Sequence, residues 1–382
     1  MSRGLGDVYK RQMKNLQGDS TNSLFSMNED NYLNLAMNRS AYYRDHGEIY
    51  GLEEITENEL FQDGLVLNYI DKPIIATKDP IFKYIVILVG LPATGKSTIA
   101  HQLIHSLQAN PTTASLRCEI FNAGKLRREM SLTNTLQLAN SSSEDLFSPQ
   151  NRHKKEKFAQ LTFQRLINHI DNDMCDLSIF DATNTTLERR QGLFQNIRQY
   201  DDRPSSNFKL IPIVFQVSCL DGNMVRYNIH QKTFNEDYFD KPYMVAVQDF
   251  AKRLVNYRKQ FVPFTTEEFN TIKSQFFNNV DYFSFNLLNN GIDEGEILES
   301  FSSQRHPSVE VVIKAIQDFV TNYVSTYGYP YVKKVNEFFK LEQQAQSKLK
   351  LLAINNTKTN LKILNSVIDQ SYLNDLRKHL HR

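Results

Sequence analysis

Lys96 and Ser97 close the run Gly90-Leu91-Pro92-Ala93-Thr94-Gly95-Lys96-Ser97, with Thr98 directly after it. Glycines at both ends of such a loop let backbone N–H groups converge on one centre, and the positive end of a following helix favours an anion at the same place. The lysine and the hydroxyl add a mobile cation and an oxygen ligand for a hard metal. The pattern is GxxxxGK[ST], which cradles the phosphates of ATP or GTP, with Lys96 reaching the β- and γ-phosphates and Ser97 holding Mg²⁺. Its context fits, because the apolar run Tyr84–Val89 precedes it and Ile99–Ile104 leads on into a helix. Asp181 ends the apolar run that starts at Leu177 and supplies a second oxygen ligand beside the metal, or an acceptor for a hydroxyl proton.

What receives the phosphoryl group is written in three other stretches. Phe121-Asn122-Ala123-Gly124-Lys125-Leu126-Arg127-Arg128 places paired arginines just after an apolar segment, at the edge where open α/β sheets bind ligands. From Asp181 to Arg190 the chain reads DATNTTLERR, with hydroxyls at the strand end and Arg189 and Arg190 in the helix that follows. Asp249 to Tyr257 spaces Arg253 and Tyr257 four apart, on one helix face. Each basic group alone reads as a solvated helix surface. Gathered around a phosphate loop they describe a pocket for an anionic, hydroxyl-bearing acceptor, because guanidinium forks match a phosphate monoester and Thr or Tyr match a sugar.

Alternating strands and helices must position these residues. Strands are expected at 84–89, 116–121, 177–181, 210–219 and 282–287, and helices at 97–109, 151–172, 186–199, 222–233 and 242–261. The fold class is therefore α/β, a P-loop NTPase-type, mostly parallel sheet with helices on both faces, plus a helical C-terminal extension. Residues 1–12, MSRGLGDVYKRQ, look like adaptor-derived sequence rather than native protein, and 13–75, rich in Asn, Ser, Asp and Glu, read as a flexible N-terminal region. The P-loop domain is set at 76–290 and the extension at 291–382, with Ser131–Gln150 as a mobile polar loop beside the site. Leu364, Ile368, Tyr372, Leu376 and Leu380 recur at helical spacing. They read as a tail helix packed on its own domain, with a partner-binding helix as the alternative.

The 382 residues carry 44 Lys and Arg against 43 Asp and Glu, a net charge of +1 that gives no global drive toward nucleic acid or a membrane surface. Cys118, Cys175 and Cys219 have neither metal-site spacing nor the count of a disulfide scaffold, and no apolar run reaches membrane-spanning length. A cytoplasmic protein is expected.

Taken together, GLPATGKS, FNAGKLRR, FDATNTTLERR and DFAKRLVNY resemble the kinase part of the 6-phosphofructo-2-kinase/fructose-2,6-bisphosphatase family, over about Lys83 to Leu288. The resemblance implies transfer of the ATP γ-phosphoryl group to the 2-hydroxyl of fructose 6-phosphate, giving the glycolytic regulator fructose 2,6-bisphosphate. It implies that Gly90 to Thr98 and Asn228 contact ATP, and that Lys232 bridges ATP and the sugar phosphate. Arg127, Lys155, Thr183, Arg189, Arg253 and Tyr257 are then the fructose 6-phosphate contacts. Asp181 falls at the catalytic position, and Cys219 matches a family cysteine near the site, a buried strand-end thiol being the equal alternative. Three positions depart from the pattern: Lys155 replaces an arginine, with Arg152 nearby; the Asn228 to Lys232 spacing is one residue shorter; and Thr94 stands where many relatives carry arginine. A bisphosphatase half would need Arg-His-Gly, whereas Arg305-His306 is followed by Pro307, so the sequence predicts a kinase without bisphosphatase activity. A homodimer is left open. A polynucleotide 5′-kinase shares the phosphate loop, but the near-neutral charge and the lack of a basic and aromatic stripe count against it. A nucleotide-responsive regulatory module fits less well, since Lys96, Ser97 and Asp181 are all present.

Overall fold

The computed structural model describes residues 80–135, 152–300, 306–351 and 359–378, apart from Ser205, Asn207, Phe239, Asp240, Asn279 and Glu294. Residues 1–12 and 13–75, most of Ser131–Gln150, and Leu380 lie outside them.

Apolar, largely β-branched residues fill β1 (Ile81–Val89), which is buried from Lys83 onward, the signature of a central strand covered on both faces. Successive side chains part to opposite sides. Ile85, Ile87 and Val89 enter one core, and Tyr84, Val86 and Leu88 enter the other. β1 pairs in parallel with β3 (Leu177–Asp181) on one side and β4 (Phe208–Ser218) on the other. β2 (Cys118–Asn122) flanks β3 and β5 (Tyr282–Leu288) flanks β4, again in parallel. β6 (Ile297–Ser300) closes the edge antiparallel to β5, giving the order β2-β3-β1-β4-β5-β6.

The order of strand addition reverses around β1: the connection from β1 runs outward to β2, and the connection from β3 crosses back over β1 to β4. The carboxyl ends of β1 and β3 therefore border the crevice in which such sheets take their ligands. α1 (Lys96–Ala109) follows β1, α2 (Ala123–Thr135) and α3 (Arg152–Asp171) follow β2, and α4 (Leu187–Asp201) follows β3. α5 (Gly222–Lys232), α6 (Tyr243–Gln260) and α7 (Thr266–Phe276) lie between β4 and β5.

Beyond the sheet come α8 (Pro307–Tyr323), a π-helical turn at Val324–Gly328, α9 (Tyr329–Leu351), α10 (Asn360–Val367) and α11 (Gln370–Lys378). α8 covers the same face as α1, through Val309, Val312, Ile313, Ile316 and Phe319. α9, α10 and α11 complete the opposite core through Val335, Leu364, Leu373 and Leu376. Helices thus cover both faces. Among the described residues, no helix is long and apolar enough to cross a membrane.

Several expectations change. The sheet does not stop at 290, since β6 belongs to it; the acidic run before Ile297 hides an edge strand that has only one partner. α2 runs to Thr135, so the loop expected from Ser131 begins as helix. The tail is two helices, because the backbone leaves helical geometry at Ile368 (φ −116°, ψ 66°) and the Asp369 carboxylate accepts from the Tyr372 N–H at 2.8 Å. It does pack on its own domain, with Leu361, Leu364, Ile368, Leu373 and Leu376 all buried.

Candidate active site

Gly90 and Gly95 hold φ of 148° and 100°, both unfavourable for a side-chain-bearing residue, and Ala93 sits between them at φ 60°. A Cβ on Gly90 would lie 2.3 Å from the Val217 carbonyl oxygen, so the loop closes down on the end of β4 only because that side chain is missing. α1 then starts at Lys96 with no side-chain cap at Gly95 and no acidic residue in its first turn. Its N–H groups and positive dipole end are left to an anion.

Lys96 Nζ donates to the Leu91 carbonyl at 2.6 Å, and Thr94 Oγ1 donates to the same oxygen at 3.0 Å. Burial pushes the Lys96 ammonium down to about 7; Asp181 opposes that shift, and the nearby charges of Lys232 and Arg253 reinforce it. Ser97 Oγ donates to Asp181 Oδ2 at 2.6 Å, and the Asn122 amide bonds the same oxygen. Register explains the last contact, since Asn122 is the β2 partner of Asp181 in β3. The hydroxyl and the carboxylate are hard oxygen donors already in contact, which suits Mg²⁺, an ion that takes one or two protein oxygens and fills its remaining positions with water and phosphate.

The loop after Asp181 is tied to β1. Gly90 N–H donates to the Thr183 carbonyl at 3.0 Å, and Asn184, in the left-handed region at φ 45°, donates from Nδ2 to the Leu88 carbonyl at 2.7 Å. Arg190 secures it from behind. Fully buried, its guanidinium reaches both Glu268 oxygens, at 2.7 and 2.6 Å, and the carbonyls of Asn184 and Val262. This corrects the grouping of Arg189 with Arg190 as anion contacts: Arg190 is saturated by protein partners and holds the loop.

Among the residues expected to contact the acceptor, Arg127 Nη2 meets Asp237 Oδ1 at 2.6 Å, and Arg253 Nη1 meets Asp237 Oδ2 at 3.4 Å. Lys155 Nζ lies 5.4 Å from the centre of the Tyr257 ring. Burial, then the charges of Arg253 and Arg127, push the Lys155 ammonium down to about 8. Lys232 is held below the ordinary lysine range by burial, with Asp181 opposing and Arg253 and Arg128 adding to the effect. Arg127 of α2 and Arg253 of α6 thus meet on Asp237, and Lys155 of α3 lies against Tyr257 of α6, so these three helices bring their cations together. Arg189 is ion-paired to Glu156, the α3 neighbour of Lys155. Thr183 takes part through its backbone, as above.

Cys219, at the end of β4, is buried, and burial pushes its thiol up to about 12, so it is a neutral thiol. Asn228, in α5, accepts at Oδ1 from the Tyr331 hydroxyl of α9 at 2.7 Å. Sequence reasoning missed Asp237, Glu156, Asn122 and Tyr331. The first two are carboxylates with no spacing signal, Asn122 owes its place to strand register, and Tyr331 lies far along the chain.

A glycine-hinged phosphate loop between β1 and α1, with a carboxylate at the end of the adjacent parallel strand, defines an α/β nucleotide-binding protein of the P-loop type. The sequence model of 6-phosphofructo-2-kinase matches residues 72–294, more than half of the chain, and the chain belongs to that family. It is 31% identical over 217 residues to 6-phosphofructo-2-kinase 1 of Saccharomyces cerevisiae, an alignment covering 56% of this chain and 24% of the yeast protein. A probable 6-phosphofructo-2-kinase of Schizosaccharomyces pombe is 30% identical over 202 residues, covering 50% of this chain and 27% of its own. Human 6-phosphofructo-2-kinase/fructose-2,6-bisphosphatase 1 is 29% identical over 188 residues, covering 48% of this chain and 35% of the human protein. The chain thus aligns with about a quarter to a third of the length of these relatives. A fungal RNA kinase structure overlays 70% of this chain and 97% of its own at 15% identity and a TM-score of 0.32, too slight a likeness to carry an argument.

Proposed function

We propose that the chain transfers the γ-phosphoryl group of ATP to the 2-hydroxyl of fructose 6-phosphate, giving fructose 2,6-bisphosphate in the cytoplasm as a regulator of glycolysis. The observation that carries this reading is a phosphate loop whose Ser97 already meets Asp181 at 2.6 Å, together with Arg127 and Arg253 converging on Asp237 and Lys155 lying against the Tyr257 ring. Two phosphate groups brought together need such a concentration of buried positive charge, and phosphoryl transfer needs little else beyond positioning.

The backbone from Gly90 to Thr98 receives the ATP phosphates, and Lys96 exchanges the Leu91 carbonyl for β- and γ-phosphate oxygens. Ser97 and Asp181 would hold Mg²⁺, which neutralises phosphate charge when bound. Asn228 contacts the nucleoside. Arg127, Arg253, Lys155 and Arg189 grip the sugar phosphate, with Thr183 and Tyr257 toward the sugar hydroxyls and Lys232 between the two phosphates. As the 2-oxygen bonds to the γ-phosphorus and the bond to the β,γ-bridging oxygen breaks, Asp181 accepts the hydroxyl proton and ADP leaves with the released electron pair. Cys219 stays protonated and shapes the end of β4.

Incubating the protein with Mg-ATP and fructose 6-phosphate tests the proposal. An acid-labile 2-phosphorylated sugar is expected. Transfer to an oligonucleotide 5′-hydroxyl, or nucleotide binding without transfer to any sugar phosphate, would contradict it.

A further inference from the structure

α9 lies outside the family-matched residues 72–294, yet it reaches the wall of the proposed nucleotide site. Tyr331 donates its hydroxyl hydrogen to Asn228 Oδ1 at 2.7 Å, while Asn228 Nδ2 is buried with no hydrogen-bond partner among the described residues. Burial raises the Tyr331 phenol far above its ordinary range, so it remains a donor. Its ring meets Tyr227 edge-on at 5.9 Å, and Phe338, further along α9, packs on Tyr227 and His230 at 5.4 and 4.5 Å. The rest of the extension clamps the same helix. Arg226 Nε donates to the Ile368 carbonyl at 2.9 Å, Arg377 donates to the Leu220 carbonyl, and Leu373 rests against Gly222. α5 leaves the carboxyl end of β4, the strand paired with β1 where the phosphate loop begins, and Lys232 stands one turn after Asn228 on the same face.

A carboxamide offers an acceptor at one end and two donors at the other, and a fixed partner at one end settles which end a ligand meets. We propose that Tyr331 is a positioning residue for the nucleotide: by occupying Asn228 Oδ1, it presents the buried Asn228 NH₂ group to a hydrogen-bond acceptor on the nucleoside part of ATP. This rests on the reading of Asn228 as a nucleotide contact. The C-terminal extension thereby completes the nucleotide site instead of merely covering the sheet.

The test is calorimetric titration of the full chain with ATP, inorganic tripolyphosphate and fructose 6-phosphate. Tyr331→Phe keeps the ring against Tyr227 and removes only the hydroxyl. It should weaken ATP about three- to tenfold, the range for one hydrogen bond, leave tripolyphosphate and sugar phosphate affinity unchanged, and lower the melting temperature by only about 2–4 °C. Asn228→Ala should weaken ATP at least as much, and the double variant should be no weaker than Asn228→Ala alone. Wild-type ATP affinity in Tyr331→Phe, or an equal loss for tripolyphosphate, overturns the inference. If Asn228→Ala also binds ATP normally, the reading of Asn228 itself falls.

Discussion

Replacing Arg253 by glutamine probes the proposed acceptor side while leaving the hydrogen bonds of the phosphate loop in place. In the wild-type protein the Arg253 guanidinium stands 3.4 Å from Asp237, whose other oxygen is held by Arg127 at 2.6 Å, so the substitution does not strand a buried carboxylate. Charge-assisted hydrogen bonds to phosphate are worth about 1.5–3 kcal/mol, which corresponds to a 10- to 150-fold rise in the sugar concentration required. Because Arg253 must share itself with Asp237, the lower part of that range is expected, about 10- to 30-fold. Initial rates against fructose 6-phosphate at saturating Mg-ATP give this number, and ATP calorimetry gives the control. The sugar KM should rise far more than kcat falls, while ATP affinity stays within about twofold. An unchanged sugar KM, or an equal loss of ATP affinity, would refute the assignment of Arg253 to the acceptor.

Lys96→Met should abolish transfer, and a melting curve should show the fold intact, since among the described residues the Lys96 ammonium hydrogen-bonds only the Leu91 carbonyl. Sugar-phosphate affinity should fall as pH rises through about 8, where Lys155 loses its proton; Lys155→Met should bind more weakly at pH 7 and show a flatter profile in titrations from pH 7 to about 9. Glu268→Ala strands the buried Arg190 charge and should lower stability by about 3–5 kcal/mol in denaturant titrations. Gly90→Ala drives a Cβ to 2.3 Å from the Val217 carbonyl and should weaken ATP binding sharply in the same calorimetric assay.

Where the sequence was explicit, local chemistry decided the outcome. The central strands are buried on both faces and therefore read as unbroken apolar runs, and the boundaries of α1 and α3 fall within a residue of their expected positions because their apolar spacing is strong. β6 escaped because an edge strand with acidic residues has no apolar run, and the tail break escaped because Asp369 restarts the helix without disturbing the spacing of Leu364, Ile368, Tyr372 and Leu376. Within the site, the phosphate loop was legible because its geometry demands glycine at fixed positions. Arg189 and Arg190 were indistinguishable as neighbours in sequence. One turns toward Glu156 on the surface of the crevice, and the other is walled in by Glu268, a partner 78 residues away. Asp237 was invisible for the same reason: a carboxylate gathering two arginines is a property of the assembled helices.

A crystal structure with a non-hydrolysable ATP analogue, Mg²⁺ and fructose 6-phosphate will show whether one crevice holds both phosphate groups. The sugar phosphate is expected on Arg127, Arg253 and Lys155, with the 2-hydroxyl oxygen about 3–3.5 Å from the γ-phosphorus and beside Asp181. A sugar phosphate bound elsewhere, with the arginine cluster closed on Asp237 alone, would contradict that placement.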